Sequence, residues 1–183
     1  GISAIIHTKN EASNIQACLE SLLWTDEHII IDMESTDRTL EIAKEYTSHI
    51  YFHPQVDCVD EARNFGLQKA NYAWTLVVDA DERVPETLKN YLQNFLNDLN
   101  PTINGLWLPR RNFFFGEEIS YLFPDYQLRF FRTGTAFWSG KVHEYAYVEG
   151  ITHKLAATSE LALLHYSYRT ISDFMLRQIR YAD

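Results

Sequence analysis

Asp79, Asp81 and Glu82 stand within four residues at the end of an apolar run, in the stretch WTLVVDADERVP from Trp74 to Pro85. Carboxylates crowded at the mouth of a buried strand repel one another and lose hydration, an arrangement that needs a positive partner. A pair spaced i, i+2 on a turn suits a hard divalent cation. Mg²⁺ takes oxygen ligands, commonly only one or two carboxylates from protein, and completes its shell with water and substrate phosphates. Capping the following helix would need only one carboxylate. Pro85, suited to a first helical turn, also sets that helix several residues further on. Asp79 and Asp81 therefore read as site residues, and Glu82 as a residue that orients the turn or caps the helix.

The elements that must hold this pair alternate. Ile2–His7, His28–Met33, His49–His53 and Ala73–Asp79 read as apolar strands. Between them lie helical patterns: one opening at a Ser13/Gln16 capping box with Ile15, Leu19, Leu22 and Leu23 on one face, one around Leu40 and Ala43, and Cys58–Ala70 despite Gly66. A further helix after Pro85 carries Leu88, Leu92, Phe95 and Leu99. Strands separated by helices imply a mostly parallel sheet covered on both faces. Ligands bind such sheets beyond the carboxyl ends of the strands. His7, Thr8, Lys9, Asn10 and Glu11 end the first strand, and Asp32, Glu34, Ser35, Thr36 and Asp37 the second. Asp79, Asp81 and Glu82 end the fourth. Acidic groups converge there from three strands, although Ser13, Thr36 and Asp37 are equally good helix caps. After Asn100-Pro101 the chain becomes short, aromatic and turn-punctuated, which reads as antiparallel strands, and ISDFMLRQIRYAD reads as a last amphipathic helix with Phe174, Ile179 and Tyr181 inward.

With 183 residues, 46% hydrophobic and 22% charged, the chain reads as one α/β domain of ordinary globular composition. A net charge of −9 provides no field to attract nucleic acid. Cys18 and Cys58 are far apart and lack metal-ligand spacing, which points to a reducing, cytoplasmic setting. No apolar run is long enough to cross a bilayer. The start close to the first strand and the uncapped ending RYAD suggest a chain shortened at its termini. Neither GxxxxGK[ST] nor GxGxxG occurs, so any phosphates would be held through a metal.

The stretches IIHTKNEASNIQACLESL, IIIDMESTDRTLEIAKEY, EARNFGLQKANYAWTLVVDADERV, QLRFFR, GKVHEY and LLHYSYRTISDF come in the order found in family 2 inverting glycosyltransferases. The sequence resembles most a bacterial subgroup that includes lipopolysaccharide-core and cell-surface sugar transferases. The resemblance covers nearly the whole chain and implies the GT-A fold, with a Rossmann-like nucleotide-binding half over residues 1–100 and a smaller, less regular acceptor half over 101–183. It places Thr8, Asn10 and Glu11 around the uracil and ribose of a nucleotide-sugar, Asp32 on the base or ribose, and Ser35 and Asp37 in the adjoining turn. Arg63 and Asn64 would face the nucleotide. Asp79 and Asp81 become the DxD pair, with Asp81 in direct metal contact and His165 a further contact to metal or diphosphate. Glu144, beside His143, becomes the general base. One departure stands out: the first turn is usually SGSTD, whereas Met33 and Glu34 give MESTD here.

The implied reaction is an in-line displacement that inverts the anomeric carbon. Glu144 takes the acceptor proton, and Mg²⁺ or Mn²⁺ on the DxD pair offsets charge on the leaving diphosphate. Donor and acceptor would be a UDP-sugar and a glycan or glycolipid. Two other classes stay open. Nucleotidyltransferases also use carboxylate-bound Mg²⁺, but HTKNEAS lacks their glycine-rich first loop; a catalytically silent nucleotide-sugar-binding domain is the other. PRRNFFFG (Pro109–Gly116) could rest weakly on the inner face of an anionic membrane, but reads better as a strand with a partly buried aromatic face.

Overall fold

The computed structural model describes residues 1–54, 59–97, 102–139 and 145–168, together with 170, 171, 174 and 175. The elements in chain order are β1 (Ile2–Thr8), α1 (Ile15–Glu20), β2 (Glu27–Asp32), α2 (Thr39–Ala43), β3 (Ile50–Phe52), α3 (Val59–Leu67), β4 (Trp74–Asp79), β5 (Glu82–Arg83) and α4 (Glu86–Asn97). They continue with β6 (Ile103–Leu108), β7 (Arg110–Phe114), β8 (Glu117–Glu118), β9 (Gln127–Arg132), β10 (Ala136–Phe137), β11 (Tyr147–Val148), β12 (Ile151–Lys154) and β13 (Leu163–Tyr168). The expected last helix falls mostly outside the described residues. Phe174 does pack against Phe115 and Tyr168.

The main sheet has the order β12-β6-β9-β4-β1-β2-β3. β4, β1, β2 and β3 run parallel, as strands joined by helical crossovers must, and β9 lies antiparallel between β4 and β6. Every residue of β1 is buried. Its side chains alternate between two layers. Ala4 and Ile6 join Ile15 and Leu19 of α1, Ala43 of α2, and Leu88 and Leu92 of α4. Ile5 joins Ala62 of α3, Phe131 and Trp138. Helices thus cover both faces, which explains why the strand reads as an unbroken apolar run.

Three local expectations change, the first being Leu23, which lies beyond the end of α1 and is exposed while Ile15, Leu19 and Leu22 are buried. The Ser13/Gln16 capping box does not form: α1 starts at Ile15 after Asn14, which makes no side-chain cap bond. The carbonyl of Glu11 already accepts from the amides of Asn14 and Ile15, each at 2.8 Å, and Gln16 instead donates to Glu20. The second half is also not purely antiparallel. β12 runs parallel to β6 and β13 parallel to β7, which the long connections between them permit. β5, β13, β7 and β8 form a second sheet, starting one turn after β4 ends and so standing next to the carboxyl ends of the parallel strands. Among the described residues, no helix is long and apolar enough to cross a membrane.

Candidate functional site

Strand register brings the predicted strand-end residues together. Thr8 pairs with Asp32 across β1 and β2, and His7 with Asp79 across β1 and β4. Neighbouring strands are about 4.8 Å apart, so Thr8, Asp32 and Asp79 form a short row at the carboxyl end of the strands, Thr8 and Asp32 turned to the face of Ile6 and Asp79, like His7, to the face of Ile5. Among the described residues, Thr8 Oγ1 and Asp32 Oδ1 are buried without a hydrogen-bond partner. Asp32 Oδ2 accepts from the amide of Ser35 at 3.0 Å. Buried polar atoms left unmatched at the carboxyl ends of parallel strands are costly, and they suit a ligand that supplies the missing partners.

The loops around the row are tied to one another. The amide of Asn10 donates to Ser35 Oγ at 2.9 Å, and the amide of Thr36 to Asn10 Oδ1 at 2.7 Å. Asp37 accepts from the amides of Ala12 (3.1 Å) and Thr39 (2.9 Å). Partial burial would raise its pKa, but these bonds and the Thr39 hydroxyl lower it instead. Glu11 accepts from Asn14 Nδ2 at 2.8 Å. Ser35 and Asp37 thus shape the two loops, and Asn10 sits between them with φ 54°.

The three crowded acids are held differently, with Arg129 shared between Asp79 and Glu82 at 2.8 and 3.7 Å. Asp79 meets Arg129 Nη2 at 2.8 Å and Arg63 Nη2 at 3.3 Å. Burial alone would raise the Asp79 carboxyl, but Arg129 and then Arg63 outweigh it and hold it well below the usual carboxylate range. The positive charge beside Asp79 is therefore supplied by the chain itself. Glu82 is fully buried. Its Oε2 accepts from the amide of Asp79 at 2.9 Å, and its Oε1 pairs with Arg110 Nη1 at 2.9 Å, so it orients the turn and does not cap α4. Asp81 points the other way, with Oδ2 3.5 Å from His165 Nε2. These two residues come together because His165 pairs with Glu82 across β13 and β5, with the amide of Tyr166 bonded to the carbonyl of Asp81 at 2.9 Å.

Arg63 and Asn64 share α3 but do different things. Arg63 reaches the row through Asp79 and lies 5.5 Å from the centre of the Trp138 ring. Asn64 uses both ends of its amide on the backbone of Trp138, each bond 2.8 Å long. His143 and Glu144 lie outside the described residues. His7, fully buried with Nε2 3.3 Å from the carbonyl of Ala62, has its pKa lowered to about 3, chiefly by burial and then by the charge of Arg63. It stays neutral at any ordinary working pH.

Among the described residues, no group of three or more His, Cys, Asp or Glu side chains forms a metal cage. Asp81 and His165 nevertheless fit a divalent cation as a two-ligand site. One carboxylate oxygen and one imidazole nitrogen 3.5 Å apart are close enough for an ion with ligand distances of about 2.1 Å to touch both. Other oxygens would come from a diphosphate and water.

Sequence reasoning missed Arg129, Arg110, Asn112 and Asp125. Arg129 is buried, between the buried Leu128 and Phe130. An arginine with apolar neighbours on both sides in a strand pattern was the signal that a carboxylate must meet it.

The stretch 3–153 matches the model of glycosyl transferase family 2. The lipopolysaccharide core biosynthesis glycosyltransferase LpsC of Rhizobium meliloti is 27% identical over 190 residues, covering 99% of this chain and 68% of that protein. An uncharacterised glycosyltransferase of Rickettsia prowazekii is 33% identical over 100 residues, 54% of this chain and 34% of its own. This match thus spans about a third of the Rickettsia protein's length. In three dimensions, S. aureus TarS in complex with UDP-GlcNAc superposes with a TM-score of 0.62 at 17% identity, over 92% of this chain and 58% of that one. That likeness speaks to the fold, a mixed α/β architecture of the GT-A kind.

Proposed function

This chain belongs to glycosyl transferase family 2, and on that footing we propose that it moves a sugar from a UDP-sugar to a hydroxyl of a glycan or glycolipid acceptor, inverting the anomeric carbon. Cell-surface or lipopolysaccharide synthesis is the setting suggested by the relative LpsC, named for lipopolysaccharide core biosynthesis. The observation that carries the reading is the meeting of Asp81 and His165 at 3.5 Å, next to the row of Thr8, Asp32 and Asp79.

In this proposal Asp32 and Thr8, with their unmatched polar atoms, receive the base and ribose, and the Asn10–Ser35 loops close against them. Asp79, fixed by Arg129 and Arg63, holds the turn that presents Asp81. Asp81 and His165 hold Mg²⁺ or Mn²⁺; when bound, the cation offsets the charge that develops on the leaving diphosphate. Asn64 fixes Trp138, six residues before Glu144. Glu144, with His143 beside it, accepts the proton of the attacking hydroxyl as the resemblance implies, an assistance that typically gives about 10²–10⁴-fold.

Thermal melting with a panel of UDP-, GDP- and dTDP-sugars, with and without Mn²⁺, tests the proposal. A UDP-sugar should raise the melting point in the presence of Mn²⁺, because a ligand at about 100 times its Kd adds about 2.7 kcal/mol. Asp81→Ala should lose that metal-dependent shift and keep the unliganded melting point. An unchanged shift in the variant would remove the metal assignment, and release of pyrophosphate from substrate would move the chain to the nucleotidyltransferases.

A further inference from the structure

His165 can serve a cation only if Nε2 carries a lone pair, and the proton on a neutral imidazole must then sit on Nδ1. What decides the tautomer lies one strand away. β7 runs parallel to β13 with Asn112 opposite His165, and Asn112 is almost fully buried. Its Oδ1 lies 2.6 Å from His165 Nδ1, and its Nδ2 donates to Asp125 Oδ2 at 3.1 Å. We propose that Asn112, oriented by Asp125, is a positioning residue that fixes His165 in the Nδ1–H form and so offers Nε2 towards Asp81. The inference rests on the reading of His165 as a cation ligand.

Donors and acceptors decide which way the Asn112 amide turns. Asp125 already accepts from Arg110 (Nε at 2.8 Å, Nη2 at 2.7 Å) and from Gln127 Nε2 at 2.8 Å. Burial would raise its pKa, but Arg110 and these bonds lower it, so it is an ionised carboxylate with no proton to give. Asn112 must therefore turn its NH₂ towards Asp125. That leaves Oδ1, an acceptor only, for His165, and Nδ1 must carry the hydrogen. Ser167 Oγ lies 3.2 Å from both ring nitrogens and so favours neither form.

The same chain of bonds reaches the other ligand. Arg110, which orients Asp125, also pairs with Glu82, whose other oxygen holds the amide of Asp79 at the start of the turn that carries Asp81. One buried network therefore sets both the carboxylate and the imidazole. Partners of this kind, which fix the ring of a ligating histidine, commonly cost 10–100-fold in metal affinity when removed.

Long-range ¹H–¹⁵N NMR of the intact chain, with the His165 signals assigned by their loss in His165→Gln, reads the tautomer directly. Mn²⁺ titration followed by electron paramagnetic resonance in the presence of UDP reads the affinity. The wild type should show the Nδ1–H form. Asn112→Leu should lose that preference and bind Mn²⁺ about 10–100-fold more weakly. Asp125→Ala, which frees the Asn112 amide to turn either way, should also weaken the Nδ1–H preference, and an amide spectrum of a folded chain for each variant guards against a folding defect. An Nε2–H form in the wild type, or an Asn112→Leu variant that folds with an unchanged tautomer, overturns the proposal. The expected tautomers without any Mn²⁺ binding by the wild type would uphold Asn112 and count only against the metal reading.

Discussion

At the level of single residues, the acids of the DADE turn are sorted by their partners. Asp79 faces the guanidiniums of Arg129 and Arg63, Glu82 those of Arg110 and, at 3.7 Å, Arg129, while Asp81 turns to an imidazole. The sequence showed that positive charge was needed but not its source, because the arginines lie on α3, β7 and β9, up to 50 residues away. The neighbouring turn is a simpler case. The family pattern has glycine where Glu34 stands, and the structure gives exposed Glu34 a φ of 63°. A side chain in this left-handed region costs roughly 1–2 kcal/mol, and glycine returns about 0.4–1 kcal/mol of that through its more flexible unfolded state. Glu34→Gly should therefore stabilise the chain by about 0.5–1 kcal/mol, read as a higher urea midpoint with an unchanged slope. A lower midpoint would show that the Glu34 side chain makes a stabilising contact that outweighs its strain.

At the level of elements, α3 carries a glycine in its last turn, where alanine is ordinarily the better helix former. Here the position has no room: a Cβ on Gly66 would lie 2.9 Å from Ile5 Cγ2 and 3.1 Å from Ile31 Cγ1. These atoms belong to β1 and β2, so a clash would push α3 off the sheet and take with it Arg63 and Asn64. Overpacking of this kind typically costs 1–3 kcal/mol. Gly66→Ala should thus lower the melting point despite its better helix propensity, and should weaken Mn²⁺-dependent UDP binding through Arg63; a raised melting point would show that the helix has space to adjust. The parallel units were legible because buried strands and amphipathic helices alternate in the sequence at their own periods. β5, β7, β8 and β13 were not legible as one sheet, because short strands far apart in sequence carry no periodic sign of their partners. That is also why His165 could be tied to Asp81 only through family likeness, and Asn112 and Asp125 not at all.

At the level of the whole molecule, the buried charge row should decide how the protein responds to acid. The folded chain keeps His7 neutral down to about pH 3, whereas an unfolded histidine takes up its proton near 6.5. Between these values the unfolded state binds the extra proton, so stability is fully present above about 6.5 and declines as the pH falls, by at most about 1.4 kcal/mol per pH unit. Asp79 acts in a lower window. Its carboxyl is held well below the usual range by Arg129 and Arg63, so the stabilisation it provides persists above the unfolded value of about 3.9 and is lost only below it. Urea midpoints measured from pH 8 to pH 4 at constant ionic strength should therefore fall steadily from about pH 6.5, before Asp79 contributes. His7→Gln, which removes the titrating group but not Asp79, should flatten that first decline even if it lowers stability at pH 8. A wild type with constant midpoints from pH 7 to pH 4.5 would mean that the folded protein accepts a proton on His7, and that Arg63 and burial do not keep the ring neutral.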